Sequence, residues 1–182
     1  MDDGKRMDVV GFLGPLRRYA RALTRDESQA EDLVQDTLVR AYERRGSFRL
    51  GGNLRVWLLS ILHNTFIDER RRRNAESLRI EQLAEIATAE LPADQESRVR
   101  FQQIRQAFLY LPDEQRSALH LVAVEGLSYQ EAAAALGIPT GTLMSRLGRA
   151  RAALRAFEAG QGPLQIATGQ RPNLRVVGGS HE

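Results

Sequence analysis

Apolar residues recur at helical spacing in two stretches of the chain, with a stretch lacking that order between them. Leu13, Leu16, Tyr19, Ala20 and Leu23 fall three and four positions apart, the stripe of an amphipathic helix. Thr24-Arg25-Asp26 interrupts it. Leu33, Val34, Thr37, Leu38, Ala41 and Tyr42 predict a second helix with all six on its packed face, and Asp26 is placed to cap its start by accepting backbone N–H groups. The glycine-containing run Arg45 to Asn53 reads as a loop. Asn53 caps a third helix that turns Val56, Trp57, Ile61 and Phe66 inward and ends in Arg70-Arg71-Arg72-Arg73. Trp57 is assigned to the core. These helices make a first body, residues 9–74.

Residues 75–96 read as an acidic linker. Leu78, Leu83 and Ile86 could support short turns, whereas Leu91-Pro92 is a poor helix interior because proline lacks a donor and restricts its predecessor. A second body spans 97–157. Val99, Phe101, Ile104, Phe108 and Leu111 form one amphipathic helix, and Asp113 to Glu125 form another, closed by Gly126 at the left-handed C′ position. Ser128-Tyr129-Gln130-Glu131 has the form of a capping box and opens a helix carrying Ala132, Ala133 and Leu136. Gly137-Ile138 then turns the chain into a last helix from Pro139 or Thr140. No strand pattern occurs. The expected fold class is all-α: two small helical domains, a linker, and a flexible tail over 158–182 in which Leu174 to Val177 is a short apolar patch.

Composition narrows the chemistry. The chain has 182 residues, no cysteine and three histidines, at 63, 120 and 181, without metal-ligand spacing. A disulfide, a thiolate site and a zinc site are not expected, and no cofactor is called for. No run approaches the roughly 20 apolar residues that span a bilayer, and the N-terminus is acidic without an apolar signal segment, so a cytoplasmic protein is expected. The net charge of +3 is modest, but its distribution is uneven. Arginines cluster at 70–73 and again at 146, 149, 151 and 155, while 81–96 carries only acids. Two basic regions around an acidic connector suggest two anion-binding surfaces on separate bodies.

Ser128 to Leu136, the turn at Gly137 and Thr140 to Arg151 match a helix-turn-helix. The small alanines at 132–135 let its helices cross closely, and Gly137 can adopt positive φ. In this motif the second helix enters the major groove with its first turns against the bases. Thr140, Gly141, Thr142, Ser145 and Arg146 lie early in that helix, with Arg149 one turn after Ser145. Hydroxyls and guanidinium groups suit phosphates and guanine edges. No nucleophile, base and orienting group converge anywhere, so an enzyme is not expected.

The segments Leu111 to Arg116, Glu125 to Ala133, Gly141 to Leu147 and Arg149-Ala150-Arg151 resemble the C-terminal DNA-binding domain of extracytoplasmic-function (ECF) sigma factors, of the sigma-70 family. Ala30 to Thr37, Ser47-Phe48-Arg49, Trp57-Leu58 through Ile61, Asn64, Asp68 and Arg71-Arg72 resemble their N-terminal domain. The resemblance implies that Asp32, Gln35 and Asp36 meet the β′ clamp helices of core RNA polymerase. It implies that Phe48 and the loop to Asn53 capture a base flipped from the melted −10 element, and that Asn64 contacts a base. Arg70, Arg71, Arg72 and Arg73 would hold phosphates nearby, and the helix-turn-helix would read the −35 duplex. An anti-sigma factor is an implied partner. Met144 and Gly148 depart from the family pattern, which commonly has a basic and a larger residue there, and both bear on the −35 letters. His120, inside an apolar helix, reads as a core or interface histidine. Two other readings are a sigma mimic that sequesters an anti-sigma factor and a plain helix-turn-helix regulator. The DNA-facing side chains argue against the first, and Asp32, Gln35 and Asp36 against the second.

Overall fold

The computed structural model describes residues 9–49, 51–77 and 96–159, with side chains for all of these except 76, 77 and 96–101. The described residues contain seven α-helices and no strand: α1 Leu13–Thr24, α2 Glu27–Glu43, α3 Leu54–Ser77, α4 Glu96–Tyr110, α5 Asp113–Leu119, α6 Tyr129–Leu136 and α7 Thr140–Glu158. Most of the stretch read as a linker, with Leu78, Leu83, Ile86 and Leu91-Pro92, lies outside the described residues, as does the tail from Gly160. The α3 helix passes straight through Arg70 to Arg73, which arginine's high helix propensity favours.

Local chemistry sets the helix ends. The Gln29 N–H donates to Asp26 Oδ1 at 2.8 Å, opening α2, and the Val56 N–H donates to Asn53 Oδ1 at 3.3 Å, opening α3. Ser128 and Glu131 satisfy each other's backbone N–H groups in a full capping box before α6. Gly126 and Gly137 take φ of 65° and 63°, the left-handed geometry that a Cβ disfavours. The segment after α5 differs from the simple helix expected. His120–Val124 is a π turn, and the Glu125 N–H reaches back five residues to the His120 carbonyl at 3.0 Å. That wide turn sets residue 125 over residue 120. Tyr42 also departs from expectation: it is 66% exposed, with the Arg45 guanidinium 4.3 Å from its ring centroid. Ala41 takes the inward position one turn after Thr37, which rotates Tyr42 about 100° around the helix.

The buried side chains form one continuous core. Leu16, Tyr19, Leu33, Leu58 and Leu62 from the first half join Leu111, Leu119, Leu121, Leu143 and Leu147 from the second. The halves therefore pack against each other, α1 on α5 and α3 on α6. Near this seam Tyr19 Oη lies 3.0 Å from His63 Nδ1, and the Tyr19 ring stacks on His120 at 5.2 Å between centroids.

Burial, reinforced by the Arg146 charge, pushes the His63 imidazole down to about 4. The unfolded value is roughly 6.5, so neutral His63 supports the fold above that pH, and the support is lost as pH falls. Between about pH 7.5 and 5 the loss should be about 2 kcal/mol. Urea denaturation at several pH values should show this decline in the wild type and a flatter profile in His63→Gln, whose amide can still accept from Tyr19. Equal slopes in the two proteins would exclude His63 as its source.

Candidate polymerase and nucleic-acid surfaces

Three surfaces carry the side chains singled out from the sequence. The first is the outer face of α2. Asp32, Gln35 and Asp36 are exposed and continue into exposed Val39. Their spacing of three and four residues puts them on one stripe. Neighbouring acids on α2 are engaged, since Glu31 accepts from Arg17 at 3.1 Å and Glu27 from Arg21 at 2.5 Å. Asp32, Gln35 and Asp36 make no side-chain hydrogen bond or ion pair among the described residues. Two solvated carboxylates beside an apolar residue can accept from a basic, partly apolar partner.

The second surface is a cavity of about 540 Å³ at the start of α3, within the size range of small-molecule sites. Phe48, Asn53, Trp57 and Ser60 line it on one side, and Gln130 and Glu131 of α6 line it on the other. The Phe48 and Trp57 rings are tilted at 54° with centroids 5.2 Å apart. Trp57 is half-buried against the core, so its packing role and its place in the cavity wall coexist. Asn53 caps α3 with Oδ1 and donates from Nδ2 to Glu131 Oε1 at 2.8 Å. Asn64 is exposed on α3, one helical turn beyond Ser60 and outside the cavity lining. The four arginines divide. Arg71 and Arg72 are exposed without a side-chain partner among the described residues. Arg70 pairs with Asp113, and Arg73 donates to Gln29 at 2.9 Å and Glu69 at 3.3 Å.

The third surface is α7. Leu143, Leu147 and Ala150 are buried, which leaves Thr140, Gly141, Met144, Ser145, Gly148 and Arg149 on an exposed stripe. A Cβ added at Gly141 or Gly148 would meet nothing within 4 Å, so this face is flat and open. Ser145 Oγ donates to the Gly141 carbonyl at 3.0 Å, leaving its lone pairs outward. Thr142 and Arg146 sit at the flanks, and Arg146 pairs with Glu114 of α5 at 3.2 Å.

Sequence reasoning missed the polar contacts that join these surfaces. Glu125, whose side chain is fully buried, accepts from Arg18 Nε and Nη2 at 3.0 Å each and from Arg55 Nη2 at 2.5 Å. His120 Nε2 lies 3.3 Å from its Oε1, without the alignment of a hydrogen bond. Burial alone would raise the Glu125 pKa. The contacts from His120, Arg18 and Arg55 outweigh it and bring the carboxyl down to about 2. One signal was present: Leu121, Val122, Ser128 and Tyr129 offer Glu125 no counter-charge within one helical turn. Among the described residues, no cluster of His, Cys, Asp or Glu could hold a metal, and no helix is long and apolar enough to cross a membrane.

Comparison with known proteins places this geometry. Residues 9–76 match the family model Sigma-70 region 2, and residues 101–154 match Sigma-70, region 4. The chain is 38% identical over 159 residues to the ECF RNA polymerase sigma factor EcfG of Rhodopseudomonas palustris (strain TIE-1), covering 86% of each. It is 35% identical over 140 residues to the ECF RNA polymerase sigma factor SigM of Mycobacterium tuberculosis, covering 76% of this chain and 69% of that one. Among solved structures it is similar to the sigma factor RpoE in complex with the anti-sigma factor NepR from Bartonella quintana, at 36% identity and a TM-score of 0.73, over 83% of this chain and 94% of that one. CnrH in complex with the cytosolic domain of CnrY follows at 27% identity and a TM-score of 0.61, over 85% and 86%. The two matched regions, in this order on one all-helical chain, identify it as a member of the extracytoplasmic-function subfamily of sigma-70-type RNA polymerase sigma factors.

Proposed function

We propose that this chain gives core RNA polymerase its promoter specificity and has no catalytic step of its own. Asp32, Gln35 and Asp36 on α2 dock on the β′ clamp helices. Phe48 stacks on a base flipped from the melted −10 element, Asn53 and Asn64 read base edges, and Arg70 to Arg73 hold the adjacent phosphates. An aromatic face and an amide suit that task, since stacking accepts any base and hydrogen bonds distinguish them. In the −35 major groove, Thr140, Gly141, Thr142, Ser145, Arg146 and Arg149 supply phosphate and base contacts. Polymerase performs the nucleotide chemistry.

The observation that carries this reading is the pairing, on one chain, of an aromatic–amide cavity at the start of α3 with the exposed, acid-free stripe of α7. A plain helix-turn-helix regulator has no use for the cavity or for the unpaired acids of α2. An anti-sigma factor is the second partner proposed, because the similar sigma factor RpoE was solved in complex with one.

Run-off transcription with purified core polymerase on a library of promoter fragments tests the reading. Transcripts that depend on this protein should share two spaced upstream elements. Arg149→Ala should reduce their yield about 10-fold, the effect of losing one good base contact, while polymerase binding persists. Failure to bind core polymerase, under conditions where a control sigma factor binds, would overturn the proposal.

A further inference from the structure

The α7 stripe assigned to the −35 groove carries one large side chain that none of the proposed contacts uses. Met144 is 55% exposed, in the middle of the face formed by Thr140, Gly141, Ser145, Gly148 and Arg149. Gly141 lies one turn before it and Gly148 one turn after it, and a Cβ added at either glycine would meet nothing within 4 Å. The thioether therefore stands alone above a bare strip. From residue 141 to residue 148 the helix rises about 10 Å, the height of about three stacked base pairs. A groove floor approaching this strip meets Met144 before any other long side chain.

Chemistry limits what Met144 can meet there. A methionine has no donor, and its sulfur is a weak acceptor. Set against guanine O6 and N7, adenine N6 or cytosine N4, it would strip water from a polar edge and return no hydrogen bond, which costs affinity. Only one group on the major-groove edges is an apolar substituent, the C5-methyl of thymine. The flexible, polarizable methionine chain can settle on that methyl without demanding an exact geometry. Ser145 adds a second constraint. Its only hydroxyl proton is committed to the Gly141 carbonyl at 3.0 Å, so toward the groove it can only accept. The amino groups of adenine and cytosine donate there, and A·T is the one pair that presents both an amino donor and a methyl. Competition from cations is absent at this point. Arg146, on the flank, is held by Glu114 at 3.2 Å, and Arg149 lies a full turn beyond Ser145.

We propose that Met144 is a specificity-determining residue of the −35 contact: it packs on the C5-methyl of a thymine, beside an adenine amino group from which Ser145 accepts. The −35 element of this chain then holds an A·T pair under the centre of the stripe, where a basic side chain at position 144 would favour guanine. Met144 can have this role only if α7 enters the −35 groove, as proposed above.

Deoxyuridine differs from thymidine by that methyl alone, so it isolates the contact. Each thymine of the −35 element found by run-off transcription, on either strand, is replaced in turn by deoxyuridine. Fluorescence anisotropy then gives the affinity of the labelled duplex for core polymerase carrying this protein. Replacement at one position should cost about 4-fold with wild type, the worth of one buried methyl, and nothing with Met144→Ala. Met144→Leu, apolar and of similar size, should keep the penalty. Met144→Arg should shift preference at that base pair toward G·C by about 10-fold. The side chain is exposed, so all three variants should fold as the wild type does. A −35 element without thymine, or one in which no replacement matters, would overturn the proposal. So would a deoxyuridine penalty that persists undiminished in Met144→Ala. A complete lack of protein-dependent transcripts is a separate outcome: it would sink the −35 reading of α7, and the role of Met144 with it.

Discussion

Arg116→Ala should lower the unfolding free energy by about 3–4 kcal/mol, the largest loss expected from one substitution in this chain. Its side chain is 1% exposed, yet every nitrogen is engaged. Nε donates to the Ala22 carbonyl at 2.5 Å and Nη2 to the Leu23 carbonyl at 3.2 Å. Nη1 donates to Leu111 at 2.6 Å and Leu109 at 3.3 Å, and Nη2 also pairs with Asp113. Ala22 and Leu23 close α1, and Leu109 ends α4 next to Leu111. Carbonyls in such last turns lack intrahelical partners, so one guanidinium satisfies the ends of two helices from different halves. Burial, then Arg25, lowers the Arg116 pKa, and Asp113 partly offsets them. Truncation would leave buried carbonyls unpaired and add a cavity, costs that combine. Arg116→Lys should recover only part of the loss, because an ammonium has three donors and no planar fork. Urea denaturation followed by Trp57 fluorescence and circular dichroism measures this. A loss below about 1 kcal/mol would mean that water replaces the guanidinium. Exposed Arg151→Ala should stay within about 0.5 kcal/mol of wild type.

Arg116 also marks the limit of what sequence pattern can reveal. The helices, the Asp26 and Asn53 caps, the Ser128–Glu131 box and the turns at Gly126 and Gly137 were legible because each depends on residues within one turn of each other. The same holds for the helix-turn-helix and the α2 acids, where spacing alone sets the face. Tyr42 failed because the inward direction of α2's last turn is settled by what α1 and α3 leave uncovered. The π turn failed because one extra residue in a helical turn leaves the apolar pattern nearly unchanged. Arg116, Arg18 and Arg55 were invisible for a different reason. Their partners in the other half lie 70 to 107 positions away, and nothing local distinguishes a buried arginine from the solvated ones that dominate this chain. The division of Arg70 to Arg73 into partnered and unpartnered side chains is of the same kind. Charge runs report composition, while the neighbouring helices decide which members are free.

Those free charges lead to the other large effect. Asp32→Arg/Asp36→Arg should weaken binding to core polymerase at least about 100-fold at constant salt, while the unfolding free energy stays within about 0.5 kcal/mol of wild type. Both carboxylates are solvent-exposed and make no side-chain contact among the described residues, so their reversal costs the free chain little. If α2 docks on a basic surface, each reversal replaces attraction with repulsion at close range, where like charges cost several kcal/mol. Gln35→Ala, which removes a neutral amide from the same stripe, should cost only about 3- to 10-fold. Fluorescence anisotropy of labelled protein against purified core polymerase, at about 0.15 M salt, separates these cases. The comparison that isolates the stripe is Glu27→Arg/Glu31→Arg on the flank of the same helix. Those acids already hold Arg17 and Arg21, so their reversal should lower stability and leave polymerase affinity within about 3-fold, the range of a rim charge. Equal losses from both pairs would make the effect one of net charge alone. Undiminished binding by the Asp32/Asp36 variant would move the docking surface off α2 altogether.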